Sequence, residues 1–255
     1  MKKEWLVKNL AICIVVLFIG VGFKPMLAEN TILDGKQSDY NNVDFEEAKE
    51  YLFQTIIKIS NNPKVKEFLN ENKHNLITNY YDCKNAIQKI YSKNPKLLKS
   101  ILFTKPEMTY EYLEKGYKNG LEIFDILGVE ETSKMMESAK ITNLELFNEL
   151  KIIIENDKEL SNRISVLEEM NNNLKSNLGF QNSSVICKIL NIIALMISLS
   201  YMFFGKYVYQ WLVDHNRTLI AKTLAIFIYS IAYLAIPVVF LQLIFNCIEF
   251  PVSLV

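Results

Sequence analysis

Two stretches decide how this chain is read: Ile189–Gly205, ILNIIALMISLSYMFFG, and Thr223–Cys247, TLAIFIYSIAYLAIPVVFLQLIFNC. Neither contains Asp, Glu, Lys, Arg or His. An apolar helix needs roughly 20 residues to cross the hydrocarbon core of a bilayer. The second stretch has 25 residues, enough to cross with some tilt. The first has 17, but Tyr207, Val208, Trp211, Leu212 and Val213 can extend it past Lys206, whose stem can snorkel. The pattern predicts transmembrane helices over 189–205 and 223–247, joined by a cytoplasmic loop over 206–222. The competing reading is a pair of buried helices in a large soluble core, although core helices seldom stay uncharged for so long.

A hairpin of this kind is antiparallel, so Asn191, near the start of the first span, faces Gln242 and Asn246 near the end of the second. Interhelical hydrogen bonds there contribute about 0.6 kcal/mol each. Cys187 precedes the first span and Cys247 ends the second, so both come to one membrane face. A disulfide between them is expected where that face is oxidising. Two buried free thiols are the alternative. Pro237 removes a backbone donor from the second span and is expected to kink it.

Working outward, the N-terminus has a secretory pattern. Lys2, Lys3 and Lys8 precede an uncharged run over 9–23, and Met26-Leu27-Ala28 resembles a cleavage region. Residues 1–28 are therefore a signal peptide or an N-terminal anchor. Cytoplasmic loops carry excess Lys and Arg, which places 1–8 and the 206–222 link, with Lys206, Arg217 and Lys222, inside. Residues 29–188 and the tail 248–255 then lie outside the cytoplasm.

Between these ends, 29–43 is polar and is expected to be a flexible leader. A helical domain is expected over 44–156, a stalk helix over 157–178 and a linker over 179–188. Phe45, Ala48, Leu52, Ile56 and Ile59 fall at helical spacing, and Asn62-Pro63 ends one helix and starts the next. The same grammar recurs at Asn94-Pro95, and the segments 59–65 and 91–97 are alike. Strand patterning is missing from 44–178. The expected fold is all-α: an extracytoplasmic helical bundle, or a short α-solenoid-like stack of helical hairpins, followed by the two-span hairpin. Gly116 and Gly120 mark close helix packing.

Leu146, Leu150, Ile153, Asp157, Leu160, Ile164, Leu167, Asn171, Leu174 and Leu178 follow alternating four- and three-residue steps. This heptad seam predicts either self-association through 160–178, with Asn171 setting register, or packing on the chain's own domain.

Composition narrows function mostly by exclusion. The segment 29–183 holds 25 acidic against 20 basic side chains, an acidic balance that argues against nucleic acid as a partner. Arg163 and Arg217 are the only arginines, so bidentate phosphate clamps are not expected. The abundance of Lys, Asn and Ile is the codon signature of an AT-rich prokaryotic genome. His74 and Cys83 are nine residues apart, which fits a surface His and a core Cys better than a nucleophile pair. The sequence carries no Walker loop, no G-x-S-x-G and no H-E-x-x-H. No catalytic, cofactor or metal residues are assigned. Acid runs such as Glu46, Glu47 and Glu50 lie near lysines, as solvated helix faces do. The expected function is non-enzymatic: an extracytoplasmic helical domain, anchored in the lipid bilayer by the hairpin, that binds another protein or self-associates. The alternatives are an oligomeric membrane assembly, such as an accessory subunit of a channel or transporter, and an enzyme using dispersed carboxylates.

Overall fold

The structure, a computed structural model, describes residues 39–72, 84–102, 107–138, 144–178 and 184–247. Residues 1–28, expected to be a signal peptide or anchor, most of the expected leader, His74, Cys83 and the tail 248–255 lie outside the described residues. Every described element is helical. In chain order they are α1 (Asp39–Asn61), α2 (Pro63–Asn72), α3 (Lys84–Lys93), α4 (Pro95–Leu102), α5 (Tyr110–Leu127), α6 (Val129–Ser138), α7 (Leu144–Glu155) and α8 (Lys158–Leu178). The apolar hairpin follows: α9 (Val185–Met202), a π-helical segment (Phe203–Tyr209), α10 (Gln210–Asp214) and α11 (Thr218–Ile244).

The helix boundaries have local causes. Asn62 Oδ1 accepts from the amides of Lys64 and Val65, capping α2 behind Pro63. Asn94 Oδ1 does the same for Leu97 in α4. Thr109 caps α5 by accepting from Tyr112 N–H. Gly128 ends α5 at φ 81°, a left-handed conformation that a side chain would strain, and its N–H returns to the Phe124 carbonyl. Lys89 Nζ bonds the Leu127 carbonyl from α3, placing a cation at the negative end of α5.

The two Asn-Pro turns also tie distant parts of the chain. Asn62 Nδ2 donates to Asp157 Oδ2 at 2.8 Å, and Asp157 Oδ1 in turn accepts from the amides of Glu159 and Leu160 at the start of α8. Asn94 Nδ2 donates to Glu122 Oε2 on α5 at 3.1 Å. The visible repeat is thus a repeated capping device. The elements it joins form a bundle rather than a stack, because α9 runs through the middle and packs against α1, α4, α5, α6, α8 and α11.

Three boundaries of the sequence reading are corrected. The helix expected from 189 begins at Val185, inside the proposed linker, because Ser184 caps it by accepting from Cys187 N–H. The loop expected over 206–222 is helical except at 215–217, since apolar and aromatic residues carry the helix through Gly205 and Lys206 as far as Asp214. The helix expected to start near 44 starts at Asp39, within the leader. α11 continues through Pro237.

The heptad seam is covered by the chain itself. Leu160, Ile164, Leu167 and Leu174 are buried, and α8 packs on α1, α7 and α9. Arg163 lies over the Tyr51 ring at 4.7 Å. Asn171, 5% exposed, accepts the Ser184 hydroxyl at 2.6 Å. This helix is therefore a wall of the bundle rather than a free stalk, and Asn171 fixes the entry to α9.

Candidate functional site

The most unusual surface belongs to the hairpin, and it changes character from one end to the other. At its base, Cys187 and Cys247 form a disulfide with Cα atoms 5.0 Å apart. One turn further, Gln242 Nε2 donates to Asn191 Oδ1 at 2.6 Å. Asn191 is 2% exposed, and its Nδ2 has no hydrogen-bond partner among the described residues. The structure therefore brings together four of the five polar and thiol residues singled out from sequence. Asn246 stands apart, exposed in the turn after α11 at φ 52°.

Along its middle, α9 is sheathed. Within its apolar span, 83% of the most apolar window is buried, against 56% for α11. The tightest contact is with α5. A Cβ at Gly120 would overlap the Ile192 carbonyl oxygen, and one at Gly116 would fall 2.7 Å from the Met196 methyl. Glycine at 120 lets the two backbones approach, and glycine at 116 makes room for the Met196 methyl.

Beyond the bundle the hairpin opens. The two glycine contacts fix an antiparallel register, and carrying it to Tyr110 ends the α5 sheath level with about residue 202. The π-helical segment and α10 pack mainly on each other, on α9 and on α11. Phe204 and Phe227 pair edge to face at 4.9 Å, closing the two arms on each other. Leu219 is 78% exposed, Ile226 69% and Val213 41%. Phe203, Tyr207, Tyr209, Trp211 and Phe227 of the same distal hairpin are half-buried. At the turn, Asp214, His215 and Arg217 are exposed, and His215 stacks on Trp211 at 4.4 Å.

One charge cluster of the sheath lies inside the protein. Lys49, buried between α1 and α5, pairs with Glu46 and lies 3.5 Å from Glu114, with its ammonium 5.6 Å from the Tyr117 ring centre. Glu114 Oε2 is held there by charge without a hydrogen bond. Burial lowers the Lys49 ammonium, but the Glu46 hydrogen bond and the Glu114 and Glu46 charges outweigh it, so the net direction is upward. Burial, then the charges of Glu46 and Glu114, push the Tyr117 phenol up to about 12. Glu46 and Glu114 converge on the one ammonium, and the cluster serves as an ionic contact between two helices. Among the described residues, no group of three or more His, Cys, Asp or Glu could hold a metal ion.

No family model, curated protein or solved structure matches this chain. What is established rests on its own geometry: an all-α fold containing two helices long and apolar enough to cross a membrane.

Proposed function

We propose that this protein is a membrane-attached helical scaffold whose α9–α11 hairpin holds the bundle at a bilayer, outside the cytoplasm, where the bundle binds a protein partner. The observation that carries this reading is the open apolar surface of the distal hairpin, with Val213, Leu219 and Ile226 exposed beside a half-buried aromatic belt. Exposed apolar side chains beside aromatic ones mark a lipid or protein contact, and on α11 they share the exposed face with Lys222 and Thr223 near the turn. The orientation is supported from both ends. Arg217 and Lys222 lie at the turn, as the positive-inside rule asks of a cytoplasmic end. The Cys187–Cys247 disulfide lies at the opposite end, where an oxidising compartment would preserve it.

The test is protease treatment of intact cells carrying a tagged form, followed by membrane fractionation. Loss of residues 39–178 with a membrane-bound hairpin remnant is the expected result. A fully protected bundle contradicts the orientation, and recovery in the soluble fraction contradicts attachment. The same open face of α11 also favours a second reading, an oligomeric membrane assembly, because another apolar helix suits it as well as lipid does. Crosslinking between copies through Ile226→Cys would select that reading.

A further inference from the structure

We infer that the face of α9 now covered by α5 is a concealed lipid-contact surface, and that α5 leaves it when the hairpin spans a bilayer. The inference rests on the membrane reading above and deepens it.

Length carries the argument. The uncovered arms, from about residue 203 to 214 and from 218 to about 230, are each about a dozen residues and so about 18 Å long. The hydrocarbon core is about 30 Å thick and needs roughly 20 residues per arm. Shallow insertion of the uncovered part alone would leave Asp214, His215 and Arg217 inside the hydrocarbon. Crossing fully carries these groups to the far headgroups, but it draws about eight further residues per arm into the membrane. On α9 those residues are about 195–202, which include Met196, the residue touching Gly116.

The first half of α5 cannot follow them. In the docked register Glu111, Glu114 and Lys115 lie beside that stretch, and Lys49 comes with Glu114. Charges on a sheathing helix do not enter hydrocarbon without great cost. In the crossing stretch the first arm carries one basic charge, Lys206, whose stem can snorkel, and both hairpin helices are apolar enough to cross. Lipid can therefore take over the α9 surface that α5 buries in the closed bundle. At Gly116 and Gly120 the contact is a close approach, with the Met196 methyl and the Ile192 carbonyl and methyl lying in the space that glycine leaves. At the base, Cys187–Cys247 and Asn171–Ser184 keep the hairpin tied to itself and to α8.

The experiment is hydrogen exchange on the full chain in phosphatidylcholine–phosphatidylglycerol nanodiscs, comparing peptides of α5 with peptides of α8, which is anchored to α1. Amides around Gly116–Gly120 should exchange about tenfold or more faster than those around Leu160–Leu167, although both regions are buried in the closed bundle. In sealed vesicles, Thr218→Cys in a Cys13→Ser, Cys83→Ser background should resist an impermeant maleimide added outside. Protein that does not remain with the nanodiscs removes the membrane reading itself. Protein that remains in the bilayer with α5 as protected as α8, or with Thr218→Cys labelled from outside, overturns this inference alone.

Discussion

α9 and α11 are almost equally apolar, yet they meet different surroundings. α9 is enclosed by helices whose outer faces are charged, while α11 shows Leu219 and Ile226 to the exterior. Apolarity alone therefore does not tell a membrane span from a core helix. What separates them is the neighbouring surface. α5 carries two glycines on its inner face, at Gly116 and Gly120, and α9 fits there. Nothing comparable covers the first half of α11 among the described residues.

The sharpest way to break this comparison is to truncate one side chain on each helix. Leu195→Ala, at a fully buried position on α9, should destabilise the bundle by about 2–5 kcal/mol in chemical denaturation. Ile226→Ala should change it by less than about 0.5 kcal/mol. Equal effects would erase the distinction. Next comes the covalent tie between the two helices. The disulfide closes a separation of 60 residues, and its reduction should cost roughly 4 kcal/mol of stability. Alkylation with and without reductant reads its state by mass, and full alkylation without reductant would contradict the bond.

The docking of α5 can be graded more finely. Gly120→Ala drives a methyl into a backbone oxygen that cannot move alone, and should cost about 1–3 kcal/mol. Gly116→Ala meets only the flexible end of Met196 and should cost less. The reversed order would mean that the α5–α9 register differs. The smallest effect is alkaline. Lys49 and Tyr117 both have folded pKa values above their ordinary ones, so each binds its proton more tightly in the bundle. The Tyr117 contribution is complete below about pH 10 and is lost as pH rises toward about 12, and that of Lys49 is lost in the same direction. Denaturation midpoints across that range should fall, and Tyr117→Phe should flatten the part due to the phenol.

Much of the local structure was legible in the sequence. The Asn62-Pro63 and Asn94-Pro95 turns, the Gly128 stop and the absence of strands follow from short-range chemistry that a single chain displays. Their long-range partners were not legible. Nothing near Asn62 names Asp157, which is 95 positions away. The 146–178 seam shows a stripe but not its occupant, because a second copy and α1 present the same apolar demand. The glycines of α5 announced a close neighbour without identifying it as α9. The 206–222 link shrinks to 215–217 because Tyr207, Val208, Trp211, Leu212 and Val213 carry the first helix past Lys206, an extension the sequence allows but does not require.

The measurement that bears most directly on the account is the depth of Trp211 in a bilayer. In a Trp5→Phe variant reconstituted with lipids brominated at successive acyl positions, the remaining indole reports the hairpin alone. The account predicts quenching, strongest with bromines nearest the headgroups, as an aromatic belt at the interface requires. Emission unchanged by bromine at every depth would show that the open face of the hairpin meets no lipid, and would contradict the membrane attachment on which the account depends.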